Sequence, residues 1–196
     1  MKRVAVFCGS NYGVQPEYEQ AAQQLGAFLA EKGLAVVYGG GNVGLMGALA
    51  RAALEAGGDV IGVMPALLEE YKDDQMGLTE LHMVATLHDR KAKMADLADG
   101  FIALPGGLGT MEEIFEIITW AQLGVHSKPA GFLNVNGYYD GLQAFLDHMV
   151  KEGFVKVEHR SMVMVEVLIP HLLDRFEHFQ SPQVNKRISP EKPLAP

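Results

Sequence analysis

Within residues 100–121, an apolar segment, a glycine-rich turn and a helical pattern follow one another and constrain the fold more than any other part of the chain. Gly100-Phe-Ile-Ala-Leu104 is short and apolar enough to form a buried parallel strand. It runs into Pro105-Gly-Gly-Leu-Gly-Thr-Met-Glu-Glu113, after which isoleucines recur at helical spacing over Ile114–Ile118. This order predicts an anion cradle, because the free N–H groups and the macrodipole at a helix start both attract negative charge.

A carboxylate, Glu113, lies one turn into the helix whose start is expected to bind an anion. Two negative groups this close repel each other unless something electropositive lies between them. A ribosyl group held by its phosphate, with positive charge building at its anomeric carbon, meets that condition. The structural alternative is that Thr110 and Glu113 form a capping box. Three glycines in the four positions before Thr110 exceed what a cap needs, so the residues alone leave both interpretations open.

Strand-like apolar segments alternate with helical patterns along the chain. Strands are expected at residues 3–9, 35–38, 59–64, 80–85, 100–104, 128–135 and 162–167, and helices at 16–33, 45–56, 86–98, after the glycine turn, at 137–152 and at 168–179. The alternation predicts an α/β fold with a doubly wound parallel sheet in three αβα layers. We expect one catalytic domain over residues 1–180, a mobile loop over a site at 66–79, and a disordered, proline-rich tail at 181–196.

Candidate ligand-binding turns fall at one edge of this predicted sheet. The carboxyl ends of parallel strands meet at the edge where α/β proteins bind ligands. Ser10, the glycine loop at 39–44, Thr86 and the turn at 105–110 all fall there. Two glycine loops suit a mononucleotide or a dinucleotide. A dinucleotide site needs G-x-G-x-x-G after the first strand and an acidic residue about 20 positions later. The first turn lacks that spacing and no acid ends the strand at Tyr38, which favours the mononucleotide.

Arg90 and Lys91 interrupt the apolar stripe of the helix predicted at 86–98. The macrodipole also opposes cations near a helix start. One interpretation is that their aliphatic stems pack while the charged heads reach solvent. The other is that an arginine at this edge binds an anion or a sugar, or pairs with Glu113. Glu116, one turn beyond Glu113, is interpreted as a supporting or interface residue, with a glycosidase-like carboxylate pair as the alternative.

Composition narrows the classes of function. A net charge of −8 disfavours binding to nucleic acid or to an anionic membrane surface. No apolar run approaches the length of about 18 residues typical of a transmembrane helix. A single cysteine, Cys8, and the lack of a signal-peptide pattern favour the cytoplasm. The histidines lack metal-ligand spacing, and neither Ser10 nor Cys8 has a readable His–acid partner, so a metal site and a nucleophilic triad are unsupported.

Arg90-Lys91 and the pattern P-G-G-x-G-T-x-x-E at Pro105–Glu113 together resemble the LONELY GUY family of cytokinin riboside 5′-monophosphate phosphoribohydrolases. The resemblance extends over residues 3–178. It includes Cys8-Gly-Ser10, Tyr38-Gly-Gly-Gly-Asn-Val-Gly-Leu-Met-Gly47 and Thr119-Trp-Ala-Gln-Leu-Gly124. It implies a Rossmann-like fold and hydrolysis of the N-glycosidic bond of a purine nucleoside 5′-monophosphate, such as AMP or N6-modified AMP, to free base and ribose 5-phosphate. It also implies a homodimer that needs neither metal nor cofactor.

The resemblance assigns roles to residues at the sheet edge. Two residues are assigned as catalytic. Glu113 stabilises an oxocarbenium-like transition state and either activates water or attacks the anomeric carbon directly. Arg90 orients Glu113 and the nucleotide. The turn at 105–110 holds the 5′-phosphate, and Met94 and the loop at 66–79 border the base. The substrate-binding residues are Ser10, Gly40, Gly41, Arg90, Lys91, Met94, Gly106, Gly107, Gly109 and Thr110.

Two other functions are consistent with parts of this pattern. Relatives have carried the name lysine decarboxylase, which fits poorly because no Schiff-base lysine or pyridoxal phosphate site is evident and the chain is small. A nucleotide-binding module that senses its ligand without cleaving it would have the same loops. Replacing Glu113 by Gln distinguishes the two nucleotide-binding functions, because only the enzyme loses its output.

Overall fold

Seven parallel strands form one sheet in a computed structural model that describes residues 1–71 and 76–182. The strands are β1 (Arg3–Phe7), β2 (Ala35–Tyr38), β3 (Val60–Pro65), β4 (Glu80–Val84), β5 (Gly100–Ala103), β6 (Ala130–Leu133) and β7 (Val163–Glu166). Their order is β4-β3-β2-β1-β5-β6-β7, and β1 pairs in parallel with β2 through Val4 and Val36 and with β5 through Val4 and Gly100. The expected doubly wound parallel sheet is confirmed.

Seven α-helices in the described residues connect the strands. They are α1 (Pro16–Glu31), α2 (Gly44–Glu55), α3 (Leu87–Leu97), α4 (Leu108–Gln122), α5 (Asp140–Lys151), α6 (Val157–Ser161) and α7 (Ile169–Glu177). Short 3-10 helices occupy Ala66–Tyr71 and Val135–Gly137. Among the described residues, no helix combines the length and the apolar character that crossing a membrane requires.

Alternate residues of each strand pack on opposite faces of the sheet, which gives the molecule two hydrophobic cores. Val4 and Val6 of β1 pack with residues of α1, α2 and α7. Ala5 and Phe7, the intervening residues, pack with residues of α3, α4 and α5. Because helices cover both faces, the central strands are apolar throughout rather than alternating with polar residues.

The segment between β3 and β4 is more regular than the sequence indicates. Residues 66–79 are expected to form an irregular loop, but Ala66–Tyr71 forms 3-10 turns directly after β3, with a kink at Leu68. Residues 72–75 lie outside the described residues. The disordered tail expected at 181–196 also lies outside them from residue 183 onward, so it stays a prediction.

Two helices near the C-terminus differ from the expected pattern. The helix expected at 137–152 begins only at Asp140, because the 3-10 turn Val135–Gly137 precedes it with Asn136 at a φ of 50°. The five-residue helix α6 was not expected at all. Five residues are too few to display the recurrence of apolar positions by which longer helices are recognised.

The strand order reverses at β1, since β2, β3 and β4 lie on one side of it and β5, β6 and β7 on the other. The turns that follow β1 and β5 are therefore neighbours at the carboxyl edge. Leu104 donates its N–H to the Phe7 carbonyl at 2.9 Å, and Gly9 donates to the Pro105 carbonyl at 3.1 Å. This is the topological switch point at which doubly wound sheets bind ligands.

Candidate active site

Glycine-containing turns close tightly against one another at this switch point. Gly44 has a φ of 61°, and a Cβ at this position would collide with the Ser10 backbone. A Cβ at Gly106 would collide with the Thr110 hydroxyl. Glycine is required at both positions because only a residue without a side chain permits this approach. The turns form one side of a cleft of about 650 Å³, a size typical of small-molecule sites.

The N-terminus of α4 opens onto this cleft. Its N-cap is Gly107, which has no side chain to accept a hydrogen bond, and its first turn contains no acidic residue. Thr110 is the third residue of the helix and not its N-cap, so the capping-box interpretation of Thr110 and Glu113 is wrong. The first N–H groups of α4 have no intrahelical acceptor and are therefore available to an anion in the cleft.

Arg90 reaches Glu113 from α3. Its Nη1 lies 3.0 Å from Glu113 Oε1, and its Nε donates to the Val63 carbonyl at 3.2 Å. A Cβ at Gly39 would collide with the other guanidinium nitrogen, so the glycine at this position makes room for the arginine. The side chains of Arg90 and Glu113 are only 12% and 11% exposed. The Val63 carbonyl and the space left at Gly39 thus position the guanidinium, which in turn pairs with the Glu113 carboxylate.

The pKa of Glu113 reflects competing influences. Burial raises it, the nearby Arg90 lowers it, Glu112 raises it again, and the balance is a raised pKa. A carboxylate with a raised pKa is a stronger base than an ordinary glutamate, while its ion pair fixes which oxygen faces the cation. The group is therefore suited to accept a proton from water or to stabilise positive charge on a bound molecule.

Lys91, the next residue of α3, contacts α4 at a different place. Its Nζ pairs with Glu112 and lies 2.7 Å from Glu116 Oε2, and its side chain is only 6% exposed. Burial acts to lower the pKa of Lys91, but the hydrogen bonds to the two carboxylates outweigh burial and the pKa is raised. Lys91 therefore ties α3 to α4, and Glu116 supports this contact.

Most of the site residues indicated by the sequence lie together. The cleft is lined by Ser10, Gly41, Arg90, Gly107, Gly109, Thr110 and Glu113. Four others lie outside the lining. Met94 is wholly buried in the core, Gly106 lies close to Thr110 and Gly9, Gly40 lies close to the side chains of Met64 and Leu81, and Lys91 makes the contact described above.

One side of the cleft is apolar, and the sequence predicts it only in part. Val43, Met46, Met64 and Leu68 line this side. Val43 and Leu68 lie in the segments 39–44 and 66–79 that were expected at the site, whereas Met46 and Met64 were not singled out. Met64 precedes the last residue of β3, at the same carboxyl edge as the glycine turns, so its place at a strand end was a usable signal. Leu68 lies in the 3-10 helix Ala66–Tyr71, for which the sequence carries no periodic signal.

Cys8 also lines the cleft but lacks the properties of a nucleophile. Its side chain is buried, and it is a free thiol. Burial and the nearby Glu113 raise the pKa of the Cys8 thiol, which keeps it protonated. Cys8 therefore contributes shape rather than covalent chemistry to the cleft.

The fold and the cleft define the chain as a Rossmann-like α/β protein with its candidate site at the strand switch point. The sequence model of a family described as possible lysine decarboxylase matches residues 46–175. The chain is 49% identical over 183 residues to the probable cytokinin riboside 5′-monophosphate phosphoribohydrolase LOGL5 of Oryza sativa subsp. japonica, covering 92% of this chain and 74% of the relative. The chain belongs to the LONELY GUY family of cytokinin riboside 5′-monophosphate phosphoribohydrolases.

Further relatives and solved structures agree with this assignment and with the fold. The cytokinin riboside 5′-monophosphate phosphoribohydrolase LOG7 of Arabidopsis thaliana is 47% identical over 179 residues, which cover 91% of this chain and 82% of the relative. A molybdenum cofactor binding protein from Rippkaea orientalis superposes with a TM-score of 0.67 at 22% identity, covering 90% of this chain and 95% of that one. At that identity, the superposition shows a shared fold alone.

Proposed function

We propose that this chain hydrolyses the N-glycosidic bond of purine nucleoside 5′-monophosphates, including cytokinin riboside 5′-monophosphates, and releases the free base and ribose 5-phosphate. One observation carries the proposal: a buried carboxylate, Glu113, held by Arg90, lies one helical turn from the open N-terminus of α4. The activity for which the relatives that are 47% and 49% identical to this chain are named supports the same reaction.

The open start of α4 is assigned to the 5′-phosphate. The N–H groups of its first turn and the Thr110 hydroxyl would donate to the phosphate oxygens, helped by the macrodipole. Gly107 and Gly109 line the cleft without side chains that would keep the phosphate away from the backbone. Ser10 and Gly41, from the neighbouring turns, complete the polar side of the site.

Glu113 is assigned to the bond that breaks. With the phosphate anchored at the helix start, the ribose lies between that anchor and the carboxylate, and the anomeric carbon gains positive charge as the base departs. Glu113 stabilises this charge and either accepts a proton from the attacking water or attacks the carbon directly. Arg90 positions the carboxylate through its ion pair.

The apolar side of the cleft is assigned to the purine. Val43, Met46, Met64 and Leu68 offer flexible, polarisable surface against which an aromatic base can pack. Met94 and Gly40 act behind this surface as core residues, and Gly106 and Lys91 act by holding the glycine turn and α4 in place.

We further propose a cytoplasmic homodimer that contacts through α4 and the turn after it. Phe115 and Trp120 on α4 are only partly buried in the single chain, while Leu123 and Val125 are 59% and 68% exposed. Large apolar side chains clustered at one helix end favour an interface. Light scattering at micromolar concentrations should give twice the mass of the chain, and a single monomeric species would contradict the dimer.

A sensor that binds a nucleotide without cleaving it is the second candidate function. It would use the same glycine turns but would have no need for the Arg90–Glu113 pair, which is why hydrolysis is favoured. Pyridoxal-dependent lysine decarboxylation is disfavoured, because the cleft lining in the described residues contains no lysine that could form a Schiff base.

Chromatography of AMP and N6-isopentenyl-AMP after incubation with metal-stripped protein tests the proposed reaction. We expect free base and ribose 5-phosphate to appear in equal amounts and at the same rate. A Glu113→Gln variant serves as the control, because its cleft keeps its shape but lacks the carboxylate. If the protein binds the nucleotide but leaves it unhydrolysed, the result would instead support the sensor.

A further inference from the structure

Tyr138 contacts the phosphate-binding turn from outside the cleft. It lies between the 3-10 turn Val135–Gly137 and α5, and its hydroxyl donates to the Gly106 carbonyl at 2.6 Å. Its ring meets Tyr18 edge-on at 5.7 Å and 77°, and Tyr139 at 4.9 Å and 86°. Two neighbouring aromatic rings thus fix the direction in which the Tyr138 hydroxyl points.

This hydrogen bond determines the orientation of one peptide unit. In a planar trans peptide, the carbonyl and the N–H group point in opposite directions. The Gly106 carbonyl points toward Tyr138, and the N–H group of the same peptide, that of Gly107, therefore points the other way. Gly107 lines the cleft whereas Gly106 does not. With its carbonyl turned toward Tyr138, this peptide carries a donor, rather than a carbonyl oxygen, on the side away from Tyr138.

Nothing within the peptide itself enforces this orientation. Both residues that flank it are glycines, which enter conformations closed to other residues at little cost. No atom lies within 4 Å of where a Cβ of Gly107 would be, so the described surroundings offer no steric barrier on that side. If the peptide turned over, the Gly106 carbonyl oxygen would face the phosphate and repel it.

We propose that Tyr138 is a positioning residue for phosphate recognition, which locks the Gly106–Gly107 peptide with its N–H group toward the cleft. The proposal rests on the assignment of the 5′-phosphate to the start of α4.

The neighbouring tyrosine shows why burial does not explain this contact. Tyr139 is buried, and its hydroxyl donates to the Leu104 carbonyl at 2.6 Å, as a buried phenol must in order to avoid losing a hydrogen bond. Tyr138 is 44% exposed, so water could satisfy its hydroxyl. Burial therefore does not impose its hydrogen bond to Gly106, and the effect of that bond is to orient the peptide of the turn.

A Tyr138→Phe variant tests the proposal, because it keeps the ring and removes only the hydroxyl. Tyr18→Phe is the matched control: Tyr18 belongs to the same aromatic cluster, and no hydrogen bond from its hydroxyl to the turn is present in the described part of the chain. Inhibition of AMP hydrolysis by ribose 5-phosphate and by adenosine is measured for both variants and for the wild type. The first inhibitor carries the phosphate and the second carries the base.

We expect Tyr138→Phe to weaken inhibition by ribose 5-phosphate and to raise the KM for AMP, each about three- to tenfold. Inhibition by adenosine should be unchanged, and Tyr18→Phe should behave like the wild type. Unchanged ribose 5-phosphate inhibition in Tyr138→Phe would overturn the proposal. Equal weakening of both inhibitors would also overturn it, because that pattern indicates general loosening of the cleft. If the wild type hydrolysed AMP and adenosine with the same kcat/KM, the phosphate site itself would be refuted, and the role of Tyr138 with it.

Discussion

The starts of α3 and α4 differ in what satisfies their free backbone N–H groups. At α3, the Thr86 hydroxyl accepts from the Asp89 N–H at 3.0 Å, and the Asp89 carboxylate accepts from the Thr86 N–H at 3.1 Å. At α4, the N-cap is Gly107, and the first turn has no acidic residue. The start of α3 is capped by its own side chains, whereas the start of α4 has no side-chain cap. The uncapped start of α4 suits the phosphate that we propose to bind there.

The two helices then meet through their charged residues. Arg90 of α3 pairs with Glu113 of α4 in the cleft, and Lys91 pairs with Glu112 and Glu116 outside it. The capped helix supplies the cations, and the uncapped helix supplies the carboxylates. These ion pairs link α3 to α4, whereas the Thr86 cap lies outside the cleft, so substitutions at the two helix starts should have separable effects.

Replacement of Glu113 by Gln should have the largest effect. The fold should remain, and kcat should fall about 10²–10⁴-fold, the usual contribution of a positioned acid–base group. Circular dichroism and steady-state kinetics provide the measurements. A variant that retains more than about a tenth of the wild-type rate would show that the carboxylate is not needed for the chemistry.

The pH profile of wild-type kcat/KM tests the state of the same carboxylate. The role proposed for Glu113 requires an ionised carboxylate, and its pKa is raised above that of an ordinary glutamate, chiefly by burial. Activity should therefore fall, as the pH is lowered, at a higher pH than an ordinary glutamate would give. An acid limb at or below the usual glutamate range would contradict this environment for Glu113.

Replacement of Arg90 by Lys should reduce kcat/KM about 10- to 100-fold, even though the charge is kept. A lysine cannot reach Glu113 and the Val63 carbonyl together with the geometry of a planar guanidinium. Kinetics with AMP at several pH values provide the test. Unchanged kcat and KM would mean that positive charge and stem packing suffice at this position.

A matched pair of substitutions compares the two helix starts directly. Leu108→Glu places a carboxylate at the first residue of α4, and Leu87→Glu places one at the first residue of α3. The two positions are 89% and 49% exposed, respectively. Each charge should stabilise its helix slightly through the macrodipole, by about 0.3–1 kcal/mol. Only Leu108→Glu should repel the phosphate, and it should raise the KM for AMP about tenfold. Equal kinetics in the two variants would indicate that the start of α4 binds no anion.

Thr86→Ala should have the smallest effect on the reaction. It removes the cap of α3 and should lower the free energy of unfolding by about 0.5–2 kcal/mol. The kcat/KM for AMP should stay within about twofold of the wild type, because Thr86 does not line the cleft. Chemical denaturation and kinetics give both values. A loss of activity without a loss of stability would contradict the structural role of this helix start.

The contrast between the two helix starts was only half predictable from the sequence. Thr86 and Asp89 have capping-box spacing, and the box forms. Thr110 and Glu113 have similar spacing, but α4 begins two residues before Thr110, so this box does not form. The spacing rule cannot tell where a helix begins, because the preceding glycine turn and its packing determine the start.

The same limit applies to residues that interrupt an apolar stripe. Arg90 and Lys91 are adjacent charged residues, and the interrupted apolar stripe does not show which of them reaches the cleft. Successive residues in a helix point about 100° apart, so Arg90 reaches the cleft while Lys91 reaches Glu112 and Glu116. The apolar side of the cleft was predicted only as segments of chain. The segment 66–79 was expected beside the base, but the sequence did not single out Leu68 within it, because the short 3-10 turns there carry no periodic signal.

The central claim is that the open start of α4 binds the 5′-phosphate and thereby holds the ribose against Glu113. Comparison of kcat/KM for AMP and for adenosine tests it most directly, with Thr110→Val as a second protein. Loss of two charge-assisted hydrogen bonds removes about 3–6 kcal/mol, so adenosine should be hydrolysed about 10²–10⁴-fold less efficiently than AMP. Thr110→Val should lower the AMP value and leave the adenosine value unchanged. Similar kcat/KM for AMP and adenosine would contradict the account.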